Sequence, residues 1–404
     1  MSIATKPLAG IKVLDISRVL AGPWCGQMLA DMGAEVIKVE RPLCGDDTRH
    51  WGPPWLSGST ESAYYLCANR GKRSVTVDMA KPEGQALIKQ LAAQSDVLLE
   101  NFKVGGLKKY GLDYASLKAI NPGLIYCSIT GFGQESPYAH RAGYDFMIQA
   151  MGGIMSLTGK PDGEPGGGPV KSGVAFTDIF TGLYAANAVL AALYQRRDTQ
   201  LGCHIDMALM DVQVGVLANQ ALNYLTSSQV PQRLGNAHPN IVPYQAFATA
   251  NGHMIVAVGN DEQFKRFCQV LSLPELTQDT RFATNGARVS HRKELVPILE
   301  AALAQHSTDE WLSDFEAAGV PCGPINTLDQ VFDDPHVKAR GLKQTLPHSQ
   351  AGQVDLVANP IRINGESLSA TTAPPTLGEH TDLVLDEIGI TAEQRQALRA
   401  AGVI

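Results

Sequence analysis

The sequence contains no C-x-x-C pair, and its seven cysteines (Cys25, Cys44, Cys67, Cys127, Cys203, Cys268 and Cys322) are scattered and odd in number. A complete intrachain disulfide framework is thereby disfavoured, and a reducing compartment, the cytoplasm, is the expected setting. H-E-x-x-H is missing and His50, His140, His204 and His238 stand far apart, so no metal is expected. A P-loop and G-x-S-x-G are also missing, which disfavours nucleotide hydrolysis and the common serine esterase. Gly22, Gly26 and Gly33 do not make G-x-G-x-x-G, so the usual dinucleotide fingerprint is lacking. Positive charge is in deficit, with 33 Lys and Arg against 40 Asp and Glu for a net −7, and a general attraction for nucleic acid or anionic lipid is excluded. No run of about 18 apolar residues occurs, and MSIATKPLAG has no apolar stretch of signal-peptide type, so neither export nor a membrane partner is expected.

What is present is length and alternation. At roughly 100 to 200 residues per domain, 404 residues suggest two or three units. Ile11 to Ile16 reads as a buried strand, Pro23 to Met32 as a helix and Glu35 to Glu40 as a second strand. Strand and helix then continue in turn through Ser74 to Asp78, Pro82 to Ala93, Asp96 to Glu100 and Leu124 to Ser128. This alternation predicts an α/β fold with a Rossmann-like, doubly wound parallel sheet. GKPDGEPGGGPVKSG, residues 159 to 173, is too rich in Gly and Pro for regular structure and leads as a loop into a long helix over about Asp178 to Arg197. A strand at His204 to Ala208 and a helix over Asp211 to Leu225 come next. The expected domains are a large one over 1–227, a smaller α+β one over 228–330, and a segment over 331–404 that returns to the first.

In an open parallel sheet, ligands bind beyond the carboxyl ends of the strands. Cations cluster there: Arg18, Arg41, Arg49, Arg70, Lys72, Arg73, Lys103, Lys108 and Lys109. In an acidic protein this clustering invites a phosphate-bearing ligand, although solvated surface charge explains any single member equally well. Asp178 stands at the head of an apolar helix behind the Gly-rich loop. It reads either as an N-cap or as a carboxylate nucleophile kept ionised by the helix N-terminus. Asp145 and His238 have weaker cases, as a structural hydrogen-bonding group and a loop side chain.

In order and with consistent spacing, LAGIKVLDISRVLAGP, GAEVIKVERP, GDDTRHWGPP, NRGKRSVTVDM, DVLLENF, GFG, RAGYDF and GVAFTD resemble the class III CoA-transferase family, from Leu8 to the C-terminus. Within it the pattern is most similar to the succinyl-CoA:glutarate branch, through YCSITGFGQ and GNAHPNIVPYQAF. The resemblance implies a catalytic Asp178, with CoA contacts at Arg41, Val77, Met79, Asn101, Phe102, Gly106 and Lys109. It implies an acyl-CoA thioester and a carboxylic acid as substrates, no permanently bound cofactor, and an interlocked homodimer of ring-like chains. A dicarboxylate needs a cation for its remote charge. Arg18 leads, with Arg49, Tyr144 and His238 as further substrate-binding candidates and Arg141 in reserve. Acyl-CoA racemases of the same superfamily have G-H-D where this chain has Gly143, Tyr144 and Asp145, so a proton-carrying His is missing and transfer is favoured over racemisation.

Overall fold

A computed structural model describes residues 6–404; the first five residues of the expected 1–227 domain lie outside the described residues. The chain divides into two compact units, one of residues 1–153, 172–222 and 335–404, the other of residues 154–171 and 223–334.

The first unit is built on six parallel strands: β1 (Lys12–Asp15), β2 (Glu35–Glu40), β3 (Lys72–Thr76), β4 (Val97–Glu100), β5 (Ile125–Thr130) and β6 (His204–Ala208). Their order is β3-β2-β1-β4-β5-β6, the doubly wound arrangement in which the sequence of strand addition reverses between β1 and β4 and opens a crevice there. Runs such as VLLE in β4 and IYCSIT in β5 are buried throughout, because helices cover both sheet faces. One face packs on α1 (Ala21–Asp31) and on a long helix, Phe176–Thr199, through Cys25, Leu29, Ala185 and Val189. The other packs on α2 (Pro82–Ala93) through Leu87, Ile88 and Leu91. Val384, Leu385 and Val403 join that second core, and the Asp78 amide donates to the Val403 carbonyl at 2.7 Å. The C-terminal segment thus returns to the first unit.

Two further helices start beside the crevice: α3 (Asp145–Met151), which local periodicity does not predict, and α4, the long helix Phe176–Thr199, which carries Asp178. By length and composition alone α4 meets the test for a membrane span, yet Thr177, Thr181, Ala185, Ala186, Val189, Ala192 and Leu193 are buried within the first unit. The helix expected over Asp211 to Leu225 is two helices, Leu209–Gly215 and Ala218–Ser227, the second opening on Ala218 at φ 44°.

The second unit holds an antiparallel sheet of β7 (Tyr244–Ala248), β8 (His253–Ala257) and β9 (Cys322–Pro324), with helices Asp261–Val270, Arg292–Leu303 and Thr308–Ala317 sharing its core. It differs from the expected 228–330 domain by including the Gly-rich segment 154–171. The reason is long-range pairing that no local pattern announces. Arg233 donates to the carbonyls of Ser156 and Lys160 at 3.3 Å and pairs with Asp162, while the Gly235 amide donates to the Gly159 carbonyl.

Candidate active site

The crevice beyond β1 rests on buried charge. Asp15 at the end of β1 pairs with Lys72 at 2.9 Å, and Lys38 in β2 pairs with Asp46 at 2.9 Å, all four side chains being fully enclosed. Burial opposes ionisation of Asp46, but Lys38 and the Thr48 donors outweigh it and hold the carboxyl down at about 2. Asp46 also accepts the Val19 amide at 3.2 Å, where Val19 adopts φ 70°. A β-branched residue in the left-handed region is strained, and it persists here because its neighbours are fixed on both sides. Asn101 does the rest of the fixing: its Oδ1 accepts the Arg18 amide at 2.8 Å and its Nδ2 donates to the Arg18 carbonyl at 2.6 Å. The turn that carries Arg18, Val19 and Leu20 is therefore held to the end of β4.

Asp178 is the third residue of α4, and the N-cap position belongs to Ala175, which supplies no side-chain acceptor. Capping comes instead from Asp145 at the start of α3. Its Oδ2 accepts the amides of Thr177 at 2.8 Å and Asp178 at 3.2 Å, while its Oδ1 accepts from Gln149 at 2.7 Å. The bland role open to Asp178 is thus filled by another residue, and its half-buried carboxylate faces a cleft. Burial, reinforced by the nearby charge of Asp145, pushes the Asp178 carboxyl up to about 7. The α1 terminus is brought close by Gly182, one turn further along α4, where an added Cβ would meet the Ala21 carbonyl at 2.7 Å.

That cleft, of about 930 Å³, is lined by Arg18, Leu20, Ala21, Asn101, Arg141, Tyr144 and Asp178. A second, of about 1200 Å³, is lined by Arg41, Val77, Met79, Phe102, Gly106 and Lys109. Six of the seven residues expected to contact CoA therefore line the second cleft, and the seventh, Asn101, lines the first. Arg18, Phe102 and Lys103 line both, so the two clefts adjoin. The Arg18 guanidinium lies 5.3 Å from the Phe102 ring centre and pairs with Asp47 at 3.2 Å, both charges being half-exposed. Phe102 is itself placed by Glu100, whose carboxylate accepts the Phe102 amide at 2.8 Å; burial pushes Glu100 up to about 7 against hydrogen bonds from Ser128 and that amide.

Arg49 is not brought to either cleft. It is 5% exposed, and its donors are taken by Glu40 at 2.7 Å, Glu61 at 2.7 Å, the Tyr65 hydroxyl at 2.6 Å and the Pro375 carbonyl at 3.2 Å, with the Tyr65 ring 3.6 Å away. Its substrate-binding candidacy is corrected to a scaffold role, since a guanidinium with two buried carboxylate partners has no charge to offer a ligand. His238 belongs to the second unit, its ring centre 5.2 Å from that of Tyr244; burial and then the Arg292 charge push its imidazole down. Tyr144 is strongly exposed on the rim of the Asp178 cleft. Sequence reasoning missed the capping by Asp145, the Asp46 anchor and Asp47. The GDDTR run contains both of the latter, but nothing local says which faces Lys38 and which faces Arg18.

The family model "CoA-transferase family III" matches residues 8–381. The chain is 51% identical over 386 residues to a succinate–glutarate CoA-transferase of Agrobacterium fabrum, covering 95% of this chain and 96% of that one. It is 46% identical over 383 residues to a succinyl-CoA:glutarate CoA-transferase of Mus musculus, covering 95% and 86%. Among solved structures, a CAIB/BAIF family protein from Brucella suis is 53% identical with a TM-score of 0.83, covering 95% of this chain and 100% of that one. A cleft holding an uncapped carboxylate, a second cleft lined with cations, and a match that spans nearly the whole chain lead to one assignment: the chain belongs to the family III CoA-transferases.

Proposed function

We propose that the protein transfers CoA between dicarboxylic acids, of succinyl-CoA and glutarate type, through covalent intermediates on Asp178. The observation that carries this reading is the free carboxylate of Asp178 in a cleft that adjoins the cation-lined one; the names of the relatives supply the substrate class. CoA lies in the second cleft against Arg41, Val77, Met79, Phe102, Gly106 and Lys109, and its thioester reaches into the first. The Asp178 carboxylate attacks the thioester carbonyl, forming a mixed anhydride and expelling CoA thiolate. The thiolate then attacks the Asp178 carbonyl carbon, releasing the donor acid and leaving an aspartyl-CoA thioester. An acceptor carboxylate attacks that thioester and expels the thiolate again. Return of the thiolate to the acceptor's carbonyl gives the new acyl-CoA and regenerates Asp178. Each step exchanges one activated acyl bond for another, so the acyl group never falls to the level of a free carboxylate that would have to be reactivated. Incubation with a panel of acyl-CoA donors and acids, with mass spectrometry of the products, tests the assignment. Exchange at the carbon beside the thioester carbonyl without new thioesters would favour racemase chemistry instead.

The remote carboxylate of the acid is assigned to Arg18, which lines both clefts and whose Asp47 partner is half-exposed and hence weakly held. Arg18→Leu is expected to raise KM for glutarate about tenfold or more while changing a monocarboxylate by less than about twofold, the difference being one charge-assisted contact. Equal losses on both acids would move Arg18 to CoA binding or scaffold.

The reading includes a homodimer. Its support is apolar surface on the first unit: Trp24, Trp55, Leu56, Ile179 and Leu183 line a largely apolar cavity, and Tyr184 and Tyr194 on α4 are exposed. Light scattering should find a dimer that persists on dilution; a stable folded monomer would contradict it.

A further inference from the structure

The ion pairs around the crevice differ in how firmly they are held. Arg49 is enclosed with Glu40 and Glu61, Lys38 with Asp46, and Lys72 with Asp15, and none of these can open without stranding a buried charge. Arg18 and Asp47 are the exception. They meet at one contact, Nη1 to Oδ2 at 3.2 Å, with both side chains 47% exposed. Among the described residues neither has a second ion-pair partner. Breaking an exposed pair of this kind costs no more than about fivefold in an equilibrium constant.

The backbones on both sides of that contact are fixed. Asn101 grips the Arg18 amide and carbonyl. Asp47 opens a short 3-10 turn, Asp47–His50, which is capped by Asp46; the Asp46 carboxylate accepts the Thr48 amide and hydroxyl as well as the Lys38 ammonium. The Asp46 amide in turn donates to Glu40 at 3.0 Å. Two side chains of opposite charge thus meet weakly from firmly held bases. Both line the cleft that contains Asp178, and Asp47 does not line the other cleft.

On the reading that Arg18 binds the remote carboxylate of the acid, we propose that Asp47 is the internal counter-ion which that carboxylate displaces, and so a specificity-determining residue for dicarboxylic acids. Without an acid in place, Asp47 neutralises Arg18. A dicarboxylate exchanges one carboxylate partner of Arg18 for another, and the swap costs little because the pair is exposed and singly bonded. A monocarboxylate has no group to offer Arg18, so the pair stays closed. The same Asp47 limits affinity for the dicarboxylate, since its displaced charge is left beside a second negative charge, and like charges at close range oppose each other.

The test measures KM for glutarate and for pentanoate, its analogue without the remote carboxylate, at saturating succinyl-CoA; where turnover of pentanoate is too slow to follow, its inhibition constant takes the place of KM. The proteins compared are wild type, Asp47→Asn, Asp47→Glu, Arg18→Leu and the double variant Arg18→Leu/Asp47→Asn. Asp47→Asn should lower KM for glutarate about threefold to fivefold and leave pentanoate within about twofold, because the amide no longer competes for Arg18. Asp47→Glu keeps the competing charge and should stay within about twofold of wild type on both acids. In the Arg18→Leu background, removal of the Asp47 charge should no longer help glutarate, since no cation is left to release. Equal gains on both acids would make Asp47 a general repeller of anions, and a raised or unchanged KM for glutarate would make it a support for Arg18 or a bystander. Either result overturns the proposal, as does a gain that survives in the double variant or appears in Asp47→Glu. Failure of the Arg18 reading shows separately, as an Arg18→Leu variant that keeps the wild-type preference for glutarate over pentanoate, and it overturns both.

Discussion

Asp178→Asn is expected to fold and to lose transfer, by a factor of about a thousand or more in kcat. The amide preserves the volume at the head of α4 but cannot attack a thioester, and no other carboxylate takes its place: both oxygens of Asp145 are occupied by the Thr177 and Asp178 amides and by Gln149. The same variant should be more stable than wild type at neutral pH. Because the folded Asp178 titrates at about 7, above its ordinary value of 3.8, the folded state binds the proton more tightly than the unfolded one. Its ionisation therefore destabilises the fold progressively as pH rises from about 4 to about 7, and fully above that. Discounted for partial exposure, the gain from Asp178→Asn is about 1 to 2 kcal/mol above pH 7, read as a Tm increase that shrinks toward acid pH. The wild-type kcat/KM should correspondingly fall about tenfold per pH unit below about 7, as the nucleophile is protonated. Glu100 titrates in the same range, but an acid limb that moves to lower pH in Asp145→Asn and stays in place in Glu100→Gln belongs to Asp178.

Arg49→Met should cost about 3 to 5 kcal/mol of stability, because it strands the buried carboxylates of Glu40 and Glu61 without their cation. The expected readout is a large fall in Tm or in denaturant midpoint. At a temperature where the variant remains folded, KM for glutarate should match wild type within about twofold. A stable variant with a raised KM would return Arg49 to the substrate and contradict the scaffold assignment.

Arg49 also marks how far the sequence could be read. Beside Trp51 and Trp55 at the edge of a predicted crevice, it looks like a substrate cation. Its partners lie 9 residues back, 12 ahead and 326 ahead, and only the folded chain assembles them. The sheet was legible because its signal is local: buried runs such as VLLE and IYCSIT alternate with helix patterns, and the strands appeared within a few residues of their expected bounds. Asp178 was legible as a candidate from the Gly-rich loop ahead of an apolar helix, but its choice between cap and nucleophile was not. That choice depends on Asp145, 33 residues away, which takes over the capping. The placement of residues 154–171 in the second unit was hidden for the same reason, since it turns on Arg233 meeting Asp162. Motif resemblance, not periodicity, brought the expected CoA residues into view, and six of them line one cleft.

Covalent carriage of CoA by Asp178 is the central step of the proposed reaction. Its most direct test is to mix the protein with succinyl-CoA in the absence of acceptor, quench in acid, and map the adduct by peptide mass spectrometry. The expected result is a peptide heavier by CoA less one water, modified at Asp178, absent from Asp178→Asn and discharged by glutarate at a rate no slower than turnover. Turnover without any adduct, or an adduct on a different side chain that glutarate discharges as fast, would contradict it.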